Sequence, residues 1–136
     1  MQIFVITTMI ILIALALLHF YWAFGGLIGL DKALPSKDGK RLLNPGKYLI
    51  IMVGLLLIVF AVIAYLLYYS PLSLEYLSYA GWFLSCIFIL RAIGEFNAVG
   101  FFKKIKNTTF SYYDTRYFSP LSLFLGISFA LLSYPL

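Results

Sequence analysis

Few side chains in this 136-residue sequence are able to do chemistry, and their positions narrow the choice. There is one histidine, His19, and one cysteine, Cys86. A lone cysteine excludes an intramolecular disulfide and every multi-cysteine metal or redox site. A lone histidine excludes a bis-histidine haem and the histidine clusters of zinc or di-iron centres. No glycine-rich phosphate loop of the P-loop or Rossmann kind is present. No metal and no cofactor is therefore expected. What remains is a small set of ionisable groups inside or bordering long apolar stretches, where charge is costly and a functional role is the default hypothesis. His19 lies five residues before Phe24, about 7–8 Å in from the end of its apolar stretch. Arg91 and Glu95 are four residues apart, hence on one helix face and able to pair. Asp114 and Arg116 can join them from the segment that follows.

Two kinds of chemistry fit such a set. Imidazole is the side chain whose ordinary pKa lies nearest neutrality, so His19 and Glu95 could act as base and acid while Arg91 polarises a substrate. No nucleophile–base–orienter set accompanies them, which favours a non-catalytic role. Each residue also has a plain structural use. His19 can donate to a backbone carbonyl, Arg91 can extend to lipid phosphates, and Arg91 with Glu95 can be a structural pair.

These groups are positioned by a chain that is 63% hydrophobic and only 11% charged. An average soluble domain has about 25% charged residues, so the composition excludes a soluble domain and a disordered chain. A membrane-crossing helix needs about 20 largely apolar residues. Four stretches qualify, at about 3–24, 48–69, 71–93 and 119–136. The expected fold is all-α: one polytopic domain over 1–136, with four transmembrane helices and an interfacial cytoplasmic connector between the third and fourth. Ser70-Pro71 and Ser119-Pro120 each open a Ser-Pro-Leu-Ser tetrapeptide and read as N-cap and first helical residue, shared capping chemistry and not an internal repeat. The first span lacks a basic leader and a small-residue cleavage site, so it is expected to remain as a helix.

All ten lysines and arginines fall in two places, five between Lys32 and Lys47 and five between Arg91 and Arg116. The positive-inside rule then puts loops 31–47 and 91–118 in the cytoplasm and both termini outside, in a multi-pass protein of the plasma (bacterial inner) membrane. The net charge of +5 is accounted for by topology and by attraction to anionic lipid, and nucleic acid is dropped as a partner. Tyr65, Tyr68, Tyr69, Tyr76, Tyr79 and Tyr134 mark the outer interface; Phe20, Tyr21, Trp22, Phe24 and Tyr48 mark the inner one. Trp82 and Cys86 read as packing residues, and Glu75 as a carboxylate complementing a helix N-terminus.

Residues 94–118 are neither clean loop nor clean span. Phe101, Phe102, Ile105 and Phe110 are expected to dip into the cytoplasmic leaflet while Lys103, Lys104 and Lys106 meet the phosphates. The sharper reading makes this segment a flap over a polar pocket between helices 1 and 3. The candidate ligand-binding set is His19, Trp22, Arg91, Glu95, Asn97, Lys103, Lys104, Asp114 and Arg116.

Three blocks resemble the recurrent motifs of a family of small bacterial membrane proteins, domain of unknown function 3995. They are His19-Phe20-Tyr21-Trp22-Ala23-Phe24-Gly25-Gly26 followed by Ala33-Leu34-Pro35; Leu90-Arg91-Ala92-Ile93-Gly94-Glu95-Phe96 with Val99-Gly100-Phe101-Phe102-Lys103-Lys104; and Asp114-Thr115-Arg116-Tyr117-Phe118-Ser119-Pro120-Leu121. The resemblance implies a four-helix integral membrane protein and no particular activity. Its blocks fall where the ionisable groups gather. The leading functional expectation is binding of a lipid or other amphiphile, with Arg91, Lys103 and Lys104 on an anionic head group and His19 and Trp22 on the apolar part. A membrane-embedded enzyme, and a small subunit of a transporter, homo-oligomer or larger membrane complex, are the alternatives.

Overall fold

The structure is a computed structural model that describes residues 2–26, 28–30, 34, 36–37, 40–41, 46–69, 75–94, 99–106 and 108–134. Four helices are long and apolar enough to cross a membrane: α1 (Gln2–Ala23), α2 (Lys47–Tyr69), α3 (Glu75–Ile93) and α4 (Thr109–Ser133). With four such helices the chain is a multi-pass membrane protein. Between α1 and α2, strand β1 (Ser36–Lys37) pairs antiparallel with β2 (Lys40–Arg41), Ser36 opposite Arg41 and Lys37 opposite Lys40. This two-residue ladder is a loop feature on an otherwise helical fold.

The helices are apolar around most of their circumference, as lipid-facing helices must be. Ile3, Ile10, Leu17, Leu55, Val59 and Phe83 are exposed. What turns inward is a narrow stripe of small and aliphatic residues at helical spacing: Val5, Thr8, Leu12 and Ala16 on α1, and Gly54, Leu57, Ala61 and Ala64 on α2. Trp82 and Cys86 lie on the outer surface of α3, contrary to the packing role expected of them, because the inward stripe there is Gly81, Leu84 and Ser85.

The helices associate chiefly as two hairpins, α1 with α2 and α3 with α4. Helices 1 and 3 are not principal neighbours. In α3–α4 the backbones approach closely because the contact residues are small. A Cβ at Gly126 would stand 2.6 Å from Ile89 Cγ1 and 3.1 Å from the Ser85 carbonyl oxygen. Hydroxyls bridge the same seam, Ser85 Oγ donating to the Gly126 carbonyl at 2.6 Å and Ser78 Oγ to that of Ser133 at 2.8 Å. Aromatic contacts join the hairpins. Phe88 meets Phe60 edge-on and stacks on Phe129, both with ring centroids 6.0 Å apart.

The fourth helix begins ten residues before the expected Ser119. Thr108 caps it, its Oγ1 accepting from the Ser111 N–H at 3.0 Å. Ser119-Pro120 therefore lies inside the helix. A proline there lacks an N–H and crowds the carbonyl four residues back. The turn before it, Asp114–Phe118, is widened to a π-helix, with the Ser119 N–H bonded to the Asp114 carbonyl. The interfacial connector is correspondingly shorter than expected.

Candidate functional site

Asp114, the first residue of the π turn, is fully buried and organises a charged cluster. Its Oδ1 accepts from Arg91 Nη2 at 2.8 Å, linking α4 to the end of α3. Its Oδ2 accepts from the Gly100 backbone N–H at 2.7 Å and stands 3.2 Å from the Lys103 ammonium. Lys103 is itself buried, and donates to the Gly100 carbonyl at 2.9 Å and to Thr115 Oγ1. Every oxygen of the carboxylate is thus engaged by a charged or backbone donor, which a buried carboxylate requires.

The loop that delivers Gly100 and Lys103 owes its path to two glycines. Gly94 (φ +89°) ends α3, its N–H bonded to the Leu90 carbonyl at 2.7 Å, and Gly100 (φ +91°) packs on the Gly94 backbone. Both adopt the left-handed conformation that glycine reaches without strain. The returning chain is tied down by the Phe101 N–H on the Ala92 carbonyl at 2.8 Å.

Beside this cluster, between the two hairpins, is a cavity of about 340 Å³, within the size range of small-molecule sites. Ten of its thirteen lining residues are apolar; the others are His19, Arg91 and Ser122. Leu49, Ile50 and Val53 of α2, Phe118, Leu121 and Ser122 of α4, His19 and Trp22 of α1 and Arg91 of α3 all line it. His19 Nδ1 donates to the Leu15 carbonyl at 2.7 Å, and the imidazole meets the edge of Trp22 with ring centroids 5.3 Å apart. Trp22 Nε1 donates to the Ile28 carbonyl at 2.9 Å, holding down the chain that brings Leu30 to the same cavity.

Of the residues expected to bind, His19, Trp22 and Arg91 meet at this cavity. Asp114 joins them indirectly, as the partner of Arg91. Lys103 is withdrawn into the ion cluster instead of meeting phosphates, because Asp114 is the only described carboxylate within its reach and both are out of water. Phe110 is likewise buried, while Phe101, Phe102, Lys104 and Lys106 are exposed. Arg116 points outward, its guanidinium 5.9 Å and 5.8 Å from the Tyr112 and Tyr117 ring centroids. Glu95 and Asn97, and with them the expected Arg91–Glu95 pair, lie outside the described residues. Sequence reasoning missed the Arg91–Asp114 pair, Thr115, and the cavity walls from α2 and α4. Asp114 itself stands in the expected set, as a group able to join Arg91 from the segment that follows it.

Compared with known proteins, residues 12–129 match the model of a family described as a protein of unknown function, DUF3995. No curated protein and no solved structure matches the chain. The matched range takes in His19, Trp22, the whole charged cluster and every lining residue of the cavity.

Proposed function

The chain belongs to the DUF3995 family, and on that footing we propose that it is a non-catalytic membrane protein that binds a lipid or other amphiphile between its two hairpins. The observation that carries the reading is the cavity itself, apolar over most of its wall, with His19, Trp22 and Arg91 among its lining residues. An amphiphile would place its chain against Leu49, Val53 and Leu121 and its polar end by Arg91. With the basic loops in the cytoplasm, that polar end faces the inner leaflet, where anionic lipids are concentrated. Holding is favoured over transforming because His19 Nδ1 is committed to the Leu15 carbonyl. Association with copies of itself or with a larger membrane complex is compatible with this role.

Native mass spectrometry of protein released from mild detergent tests the proposal. Wild type is expected to retain an amphiphile mass that Val53→Phe, which fills the cavity and leaves every charged residue in place, fails to retain. A bare wild-type chain would overturn it. The same spectrum counts the subunits.

A further inference from the structure

We infer that the amphiphile held in this cavity carries a single negative charge, on a carboxylate or phosphodiester oxygen that accepts from Nη1 of Arg91. The inference rests on the amphiphile-binding reading above and adds the ligand's charge and anchor. Arg91 presents a fork of which only one side is used. Nη2 is bonded to Asp114, whereas Nη1 is buried and has no hydrogen-bond acceptor among the described residues. A cationic N–H kept from water without an acceptor is costly, and Arg91 is one of the residues that line the cavity. An anion entering the cavity supplies the missing acceptor.

Charge counting limits what that anion can be. Among the described residues the cluster contains two cations, Arg91 and Lys103, and one carboxylate, Asp114, a surplus of one positive charge. The surplus belongs to Arg91. Lys103 is enclosed, with Asp114, the Gly100 carbonyl and Thr115 Oγ1 around its ammonium, and it does not reach the cavity. One negative charge neutralises the site, whereas a dianion would leave an excess buried charge. A guanidinium fork also matches the planar or tetrahedral oxygens of carboxylate and phosphate better than an ammonium does. The π turn contributes to both halves of the arrangement: its first residue, Asp114, anchors Arg91, and its last, Phe118, lines the cavity.

The test uses Trp22 as the reporter. Trp82→Phe leaves Trp22 as the single tryptophan, and brominated amphiphiles of one chain length are titrated into the protein in detergent while its fluorescence is followed. The probes are a fatty acid, a phosphatidylglycerol, a neutral monoacylglycerol and a phosphatidic acid. The fatty acid or the phosphatidylglycerol is expected to quench at a concentration about tenfold below that needed for the monoacylglycerol, the size of one charge-assisted hydrogen bond. Whichever of the two binds tighter identifies the oxyanion as carboxylate or phosphodiester. The preference is expected to vanish in Arg91→Gln; should that variant not fold, the comparison of charged and neutral probes on the Arg91 protein decides alone. Equal quenching by charged and neutral probes, abolished by Val53→Phe, would overturn the charge assignment and leave amphiphile binding standing. Tightest binding by phosphatidic acid would overturn the single charge. Quenching that is unsaturable, or indifferent to Val53→Phe, would remove the binding reading itself.

Discussion

Replacing Asp114 with alanine should be among the most damaging single changes in this protein, for a reason that can be worked through atom by atom. The carboxylate is fully buried and receives the Arg91 guanidinium, the Gly100 N–H and the Lys103 ammonium. Alanine leaves all three behind. The Arg91 side chain is 33% exposed and can swing toward head groups, so its share of the loss is small. The Lys103 side chain is 1% exposed and cannot. Removing one partner of a buried pair costs about 3–5 kcal/mol, chiefly through the charge left unpaired. We therefore expect a loss of about 4 kcal/mol, seen as a fall of about 14 °C in the thermal unfolding midpoint in detergent. The cause is separable by a double-mutant cycle. Lys103→Met removes the stranded ammonium while keeping its apolar stem, and Asp114→Ala with Lys103→Met should recover about 2 kcal/mol relative to Asp114→Ala alone. An Asp114→Ala protein melting within about 2 °C of wild type, or a double variant no more stable than the single one, would refute the buried-cluster reasoning.

Other expectations follow from the same structure. Gly126→Val should force α3 and α4 apart, since even a Cβ there meets Ile89 and the Ser85 carbonyl; a loss of about 2 kcal/mol is expected from overpacking, read as a lower unfolding midpoint. Gly100→Ala places a side chain at φ +91° against the Gly94 backbone, and should cost at least about 1–3 kcal/mol and loosen the loop carrying Lys103, read by faster proteolysis between residues 99 and 106. Topology is testable in a Cys86→Ser background: a cysteine at position 40 should react with an impermeant thiol reagent only after cells are permeabilised, and one at position 134 in intact cells.

Much of this protein is legible in its residues taken in order. The four spans follow from runs of apolar side chains of membrane-crossing length, a local property that needs no knowledge of packing. The grouping of all lysines and arginines into two segments is equally local, and so is the absence of multi-histidine or multi-cysteine sets. His19, Trp22 and Arg91 were singled out for lying in apolar surroundings where such side chains are costly or interfacial, and the fold brings them to one cavity. Spacing is silent where a contact crosses the chain. Helical periodicity puts Glu95 on the face of Arg91, and that residue lies outside the described ones; it gives no sign of the carboxylate 23 residues away that Arg91 meets.

That contact is tertiary in origin. Asp114 reaches Arg91 only because two left-handed glycines reverse the chain after α3, Thr108 starts the fourth helix early, and the π turn forced beside Pro120 sets the carboxylate inward. Lys103 changed from an expected surface cation to a buried counter-ion for the same reason: burial is decided by what packs over a side chain, not by its type. The cavity is likewise a property of assembly. Its walls come from segments as distant as Leu15 and Ser122, each unremarkable in sequence, and it exists because the helices associate more closely within the hairpins than between them. Local hydrophobicity and charge thus determined that this chain lies in a membrane as four helices, and packing geometry alone decided which charges meet and where a ligand has room.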